Sequence, residues 1–144
     1  MADRNATTSW QGDLGSGSGL VTLDSSNAGQ FPVSFATRAE DPAGQTSPEE
    51  LIAAAHSACY SMQLSALLGG VGHAPERIDT SAEVTLGKSG DGFAITGIAL
   101  TVRATVPGAN ADTFQQAAQQ AKETCPVSAA LTGTTITLDA QLSE

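Results

Sequence analysis

The two cysteines of the chain, Cys59 and Cys125, are the residues whose type most directly suggests chemistry. A thiolate is a strong nucleophile and is readily oxidised, so two thiols that meet in a fold can form a redox pair. The N-terminal residues contain no apolar segment of the kind that a secretory signal requires, so we expect a cytoplasmic protein. Structural disulfides are uncommon in that compartment. The cysteines are therefore either inert core residues, which composition alone favours, or a redox pair.

A reactive buried thiol needs a nearby positive charge, because the loss of hydration raises its pKa. The chain has few permanent cations, which are Arg4, Arg38, Arg77, Lys88, Arg103 and Lys122. Arg38 follows an apolar strand and precedes a long apolar helix, although an arginine at a strand end is often only a solvated charge. His56, one turn before Cys59, is a second candidate, either as a base or thiolate partner or as a hydrogen-bonded structural residue.

A long apolar helix that begins at Pro48 is predicted to carry the first cysteine. Ser47 is a suitable N-cap, and Glu50 three residues later completes a capping box. Two glycines at positions 69–70 mark the end of the helix. No residue from 51 to 68 has a formal charge, and apolar residues lie all around the helix. We therefore expect this helix to be buried on nearly every side.

A membrane-spanning role is disfavoured for this helix, because His56, Gln63 and three serines are poor lipid-facing residues. One chain of this length has too few strands to cover a central helix completely. We therefore expect an intertwined homodimer, in which the sheet of one subunit covers the helix of the other.

The strands are predicted from the two-residue alternation of apolar and polar side chains. The alternation is clearest in residues 78–86, 98–106 and 136–142. Shorter strands are expected near Trp10 and over residues 20–23 and 31–35. Strands with one solvated face are usually antiparallel, so antiparallel sheets are expected.

A second, amphipathic helix is predicted over residues 112–124, with an apolar stripe that ends at Cys125. Pro126 ends or kinks this helix. Both sulfurs then point inward and can meet. The predicted fold class is α+β, with antiparallel sheets wrapped around a long buried central helix and a second amphipathic helix in one domain over residues 1–144.

Composition limits the classes of partner. A chain of 144 residues with 40% hydrophobic residues suits one domain with one core. Its net charge of -9 repels phosphate backbones and anionic lipid headgroups, so neither nucleic acid nor a membrane is an expected partner. No metal site is expected, since the two histidines lie far apart in sequence and there are only two cysteines.

Five motifs are distributed along almost the entire chain, and they are WQGD at 10–13, TRAE at 37–40, SPEELIAAAHSACYSMQLS at 47–65, IDT at 78–80 and CPVS at 125–128. Together they resemble the OsmC/Ohr family of peroxidases, and specifically its OsmC branch. The chain departs from the branch at Ala39, where an aromatic residue is usual, and at Ser47, where Asn is usual. The change at Ala39 bears on substrate preference near Arg38.

The resemblance implies a role for each matched residue. Cys59 corresponds to the peroxidatic cysteine and Cys125 to the resolving cysteine, while Arg38 and Glu49 hold the thiolate and the peroxide. The implied reaction forms a sulfenic acid on Cys59 and then a disulfide with Cys125, which an external thiol or dithiol, including a lipoyl-type dithiol, reduces. No metal, haem or flavin cofactor is implied. Apolar walls around the thiol favour organic hydroperoxides, with hydrogen peroxide as a further candidate.

Two other functions agree with the residues alone. The first alternative is a non-catalytic module that binds a small apolar or lipid-like molecule, with both cysteines as packing residues. The second alternative is an esterase that uses Cys59 and His56, but no third residue is in evidence to orient the histidine.

Helix geometry suggests how the implied site is divided between subunits. Glu49 and Cys59 are ten residues apart, so along one helix their backbones are separated by about 15 Å. A glutamate side chain cannot span that distance. Either Arg38 bridges a long gap within one chain, or Glu49 reaches the cysteine of the other subunit. Because the apolar helix already requires a partner to cover it, we expect each site to combine Cys59 and Cys125 of one chain with Arg38 and Glu49 of the other.

Overall fold

The computed structural model describes residues 1–143, in which six strands and four helices are found. Their order is β1 Thr7–Gln11, β2 Ser18–Thr22, β3 Gln30–Val33, α1 Phe35–Ala39, α2 Pro48–Gly70, β4 Arg77–Ser89, β5 Gly92–Thr105, α3 Ala111–Thr124, α4 Pro126–Ala130 and β6 Ile136–Leu142. The chain forms two compact units, Met1–Leu51 and a second unit that begins at Ile52. The α+β class is confirmed, while the single domain remains a prediction.

The first unit contains an antiparallel sheet in the order β1-β2-β3. The strand predicted over residues 31–35 ends at Val33, because Ser34 caps a short helix that sequence patterning did not predict. The Ser34 hydroxyl accepts a hydrogen bond from the Thr37 N–H at 3.2 Å, and this N-cap starts α1. Arg38 therefore lies in the last turn of a helix and not at a strand end.

The second unit contains a sheet in the order β4-β5-β6. The strands β4 and β5 form a long antiparallel hairpin, as the alternation predicted. The expectation of purely antiparallel sheets is wrong for β6, which pairs in parallel with β5. The reason is the connection between β5 and β6. Helices α3 and α4 lie between these strands and return the chain toward the N-terminal end of β5, so β6 runs in the same direction as β5.

Helix α2 begins and ends where the sequence predicted. The Ser47 hydroxyl accepts a hydrogen bond from the Glu50 N–H at 3.1 Å, while the Glu50 carboxylate accepts one from the Thr46 hydroxyl at 2.6 Å. Within one chain α2 is buried along a single stripe at four-residue spacing, formed by His56, Tyr60, Leu64 and Leu68. The opposite face includes Met62, which is 72% exposed. One chain therefore does not give the helix the cover on nearly every side that its composition predicts.

The core of the second unit is formed by the buried stripe of α2, the inner faces of β5 and β6, and helix α3. The predicted stripe of α3 is confirmed, since Phe114, Ala117, Ala118 and Ala121 are buried. Helix α2 is long and apolar enough to cross a membrane by length and composition alone. Core helices of soluble proteins have the same composition, and Tyr60, Leu64 and Leu68 of α2 belong to the core.

Candidate active site

The two cysteines are in contact. Cys125 Sγ donates a hydrogen bond to Cys59 Sγ across 2.8 Å, and both thiols are free. Cys125 is fully buried, whereas Cys59, in the middle of α2, is partly accessible. A disulfide requires an S–S distance of about 2.05 Å, so a small approach of the two sulfurs would join them. The arrangement combines one accessible thiol with one sheltered thiol beside it.

The backbone around Cys125 fixes the position of its sulfur. Cys125 is the single residue between α3 and α4, and its φ of -58° and ψ of 126° are extended, as a residue before proline prefers. Its N–H donates to the Ala121 carbonyl at 2.9 Å, and its own carbonyl accepts from the Ala129 N–H at 3.0 Å. Pro126 does not merely stop α3, because it occupies the first turn of α4, where a missing N–H costs nothing.

The surroundings of Cys59 favour the neutral thiol. Burial is the main cause that raises the pKa of Cys59, and the hydrogen bond with Cys125 raises it further. The backbone N–H of Val127, in the first turn of α4, acts in the opposite direction and lowers this pKa. Since burial has the largest effect, an additional positive charge is needed to produce a thiolate at neutral pH.

His56 does not make a hydrogen bond with Cys59, as a base for that thiol would, but contacts Ser128. His56 Nε2 lies 2.7 Å from Ser128 Oγ, and both residues are buried. Burial lowers the pKa of His56, so the imidazole is neutral at physiological pH. This geometry gives no support to an esterase in which His56 activates Cys59.

Arg38 and Glu49 form an ion pair within the first unit. Arg38 Nε lies 3.1 Å from both carboxylate oxygens of Glu49, and Arg38 Nη2 lies 2.7 Å from Oε1. This two-pronged geometry fixes the plane of the guanidinium. The hydrogen bond with Glu49 raises the pKa of Arg38 above its usual value. Glu49 also lies in the first turn of α2, where the helix dipole favours a carboxylate.

An apolar cavity of about 340 Å³ lies next to this ion pair in the first unit. Arg38 is the charged residue of its wall, and the apolar lining includes Trp10, Leu14, Val21, Val33, Phe35 and Leu51. The Trp10 indole is held by a hydrogen bond from Nε1 to the Gly12 carbonyl at 3.0 Å. The volume and lining are those of a site for a small apolar molecule with one polar end.

The structure brings the four predicted site residues together in two pairs, Cys59 with Cys125 and Arg38 with Glu49. Sequence reasoning did not single out Ser128, the partner of His56. Its only sequence signal was its place in the CPVS motif at 125–128. Among the described residues, no cluster of three or more histidine, cysteine, aspartate or glutamate side chains is placed to hold a metal ion.

The sequence of this chain matches a known family and two named relatives. The model of the family described as OsmC-like protein matches residues 41–139. A protein named Peroxiredoxin OsmC from Escherichia coli (strain K12) is 51% identical over 133 residues, which are 92% of each chain. The match to Peroxiredoxin OsmC of Shigella flexneri has the same identity and coverage. This chain belongs to the OsmC family.

Solved structures share the fold at lower sequence identity. The organic hydroperoxide resistance protein OhrB of Bacillus subtilis superposes with a TM-score of 0.71 at 24% identity, over 95% of this chain and 98% of that one. An organic hydroperoxide resistance protein from Elizabethkingia anophelis gives a TM-score of 0.74 at 23% identity, over 99% and 98% of the two chains. At these identities the likeness establishes the fold.

Proposed function

We propose that this protein is a thiol-dependent peroxidase that reduces organic hydroperoxides, and also hydrogen peroxide, in defence against oxidative stress. The observation that carries the proposal is the contact between Cys59 and Cys125. These residues are 66 positions apart in sequence, yet their sulfurs lie 2.8 Å apart with Cys59 accessible. The names of the relatives, Peroxiredoxin OsmC, agree with this chemistry.

The reaction takes place in three steps. The Cys59 thiolate attacks the distal oxygen of the hydroperoxide, the O–O bond breaks, and the alkoxide takes up a proton and leaves as an alcohol. Cys59 is then a sulfenic acid, which condenses with the Cys125 thiol to give a disulfide and water. An external dithiol, of which lipoyl-type dithiols are one class, reduces the disulfide and restores both thiols.

Arg38 and Glu49 act on the first step. A guanidinium beside Cys59 would lower the pKa of that thiol and donate hydrogen bonds to the departing oxygen. Glu49 would hold the guanidinium in the orientation this requires, and the two-pronged ion pair supports that role. Arg38 and Glu49 are thus proposed as catalytic together with Cys59 and Cys125.

The cavity beside Arg38 supports organic hydroperoxides as the preferred substrates. An alkyl or aryl group fits its apolar wall, and the peroxide end would then lie near the guanidinium. Hydrogen peroxide has no apolar group and would gain nothing from this wall. Ala39, next to Arg38 in sequence, is not among the residues that line this cavity.

A homodimer with shared sites is part of the proposal, in a protein that acts in the cytoplasm. The apolar face of α2 that one chain leaves exposed, with Met62 at its centre, supports an interface with a second copy. The ten-residue separation of Glu49 and Cys59 on α2 supports sites that take Cys59 and Cys125 from one chain and Arg38 and Glu49 from the other.

The decisive experiment is a count of free thiols before and after one equivalent of an organic hydroperoxide. A peroxidase should lose both thiols rapidly and recover both after treatment with a dithiol. A binding module with packing cysteines should lose neither thiol, and this result would refute the proposal. Steady-state assays with several hydroperoxides and several thiol donors then rank the substrates and reductants.

A further inference from the structure

A buried hydrogen bond lies beside the contact of the two cysteines. His56 precedes Cys59 by three residues on α2, and Ser128 follows Cys125 by three residues on α4. His56 Nε2 and Ser128 Oγ are 2.7 Å apart, and the two residues are 0% and 3% exposed. The segment around Cys125 is thus joined to α2 through this bond as well as through the sulfurs.

Ser128 anchors α4 to the interior of the unit. Helix α4 has only five residues, too few for a stable isolated helix, and Ser128 is its one buried residue. A buried hydroxyl without a partner is unfavourable, so α4 is held where Ser128 meets His56. Cys125 comes directly before α4, and its carbonyl accepts the Ala129 N–H. The position of α4 therefore determines the position of the Cys125 sulfur.

Packing alone does not explain a histidine at position 56. Its Nδ1 is buried and has no hydrogen-bond partner among the described residues. Because orphaned buried N–H groups are rarer than orphaned acceptors, we assign the proton to Nε2, which then donates to Ser128 Oγ. An apolar side chain of similar size would fill the space without an unpaired polar atom. The bond to Ser128 is what the histidine adds.

We propose that the His56–Ser128 hydrogen bond positions the resolving thiol, so that Cys125 Sγ stays within reach of Cys59 after Cys59 has been oxidised. This inference rests on the proposed peroxidase function. In the resolving step the Cys125 sulfur attacks the Cys59 sulfur, an S–S bond forms while the S–O bond breaks, and the hydroxyl leaves with the Cys125 proton as water. Oxidation of Cys59 removes the hydrogen bond between the two thiols. The bond between His56 and Ser128 does not involve Cys59, so it still holds the segment around Cys125 in place.

Rapid-quench mass spectrometry after one equivalent of hydroperoxide separates the two steps, because it measures sulfenic acid and disulfide independently. Ser128→Ala should slow disulfide formation about tenfold, the factor typical of one buried hydrogen bond, and leave sulfenic acid formation unchanged. Excess peroxide should then convert more Cys59 to sulfinic acid than in the parent. Ser128→Thr keeps the hydroxyl and should restore the parent rate.

A matched control tests whether the loss of any hydrogen bond between α2 and the chain next to Cys125 slows disulfide formation. Gln63 Nε2 donates to Thr124 Oγ1 at 2.9 Å and links α2 to the last residue of α3, just before Cys125. Gln63→Ala should form the disulfide at the parent rate.

A double variant separates positioning from stability. Replacing both partners, as in His56→Leu with Ser128→Ala, leaves neither one unpaired and is nearly neutral for folding. This protein should fold like the parent and still resolve slowly. If it forms the disulfide at the parent rate, or if both steps slow equally, the positioning role is wrong. If the parent itself keeps both thiols after peroxide, the peroxidase proposal is wrong and the positioning role fails with it.

Discussion

The ion pair of the first unit and the thiol pair of the second unit differ in how they handle charge. Arg38 and Glu49 compensate each other, with side chains that are 35% and 8% accessible. Cys59 and Cys125 contact each other as neutral thiols, and burial raises the pKa of Cys59. The thiol pair therefore has the geometry to form a disulfide but not the electrostatics to ionise one sulfur.

The difference shows that proximity and activation are separate properties. The contact of 2.8 Å between the sulfurs is produced by packing in one unit. A thiolate needs a cation, and Arg38 already has its guanidinium plane fixed by Glu49. We expect the reaction to require both pairs, each for its own step, and variants in the two pairs should fail in different ways.

The largest effect is expected for Cys59→Ser, which should abolish peroxidase turnover because the attacking sulfur is gone. Cys125→Ser should still reduce one equivalent of hydroperoxide and then stop at the sulfenic acid. Hydroperoxide consumption with and without excess dithiol measures both. Normal turnover by Cys59→Ser would remove the basis of the proposed function.

A smaller effect is expected for Arg38→Ala, which should raise the pKa of Cys59 and slow the peroxide step about a hundredfold at neutral pH, given that a neighbouring cation shifts a pKa by about 1–3 units. The rate requires the thiolate, so its pH profile should move to higher pH. Alkylation rates of Cys59 against pH measure this shift.

Arg77→Ala is the matched control, because it removes an exposed ion pair with Asp79 and should leave the profile unchanged. If Arg38→Ala and the parent give the same alkylation profile, Arg38 is not the partner of the thiolate.

Mixed dimers test whether the two pairs come from different chains. After subunit exchange between Cys59→Ser and Arg38→Ala, each heterodimer would contain one intact site, built from the chain that keeps Cys59 and the chain that keeps Arg38. An equal mixture should recover about a quarter of the parent activity, since half of the dimers are mixed and each has one active site of two. Verified heterodimers without recovered activity would place the site within one chain.

The smallest expected effect is on stability against pH. In Arg38→Ala, burial raises the folded pKa of Cys59 with no guanidinium to offset it, so the unfolded chain loses this proton first as the pH rises above about 8.5, the usual thiol value. The free energy of unfolding of this reduced variant should be fully retained below that pH and fall above it. Tyr60, whose pKa is also raised by burial, adds to the fall from about pH 10 upward.

Denaturant unfolding of Arg38→Ala and of the double variant Arg38→Ala with Cys59→Ser at pH 7.5 and 9.5 under reducing conditions isolates the contribution of this thiol. The decline between the two pH values should be shallower in the double variant. Equal declines would mean that the folded state does not hold the proton of Cys59 more tightly than the unfolded chain does.

Most of the secondary structure of this protein follows from local sequence signals. Two-residue alternation predicted β4, β5 and β6, since one face of each strand must be buried. The Ser47 cap and the glycine pair fixed both ends of α2. The stripe of α3, which ends at Cys125, predicted that the Cys125 sulfur points inward. These features depend on neighbours a few residues away, so the sequence alone determined them.

Other features depend on residues that are far apart in the chain. The contact between His56 and Ser128 joins residues 72 positions apart, and no local pattern predicts such a pair. The parallel pairing of β6 was decided by the connection through α3 and α4, because alternation is the same in parallel and antiparallel edge strands. Burial of α2 was likewise decided by what packs against it. The sequence of α2 shows which of its faces are apolar. Only the tertiary structure determines that one chain buries a single stripe of this helix.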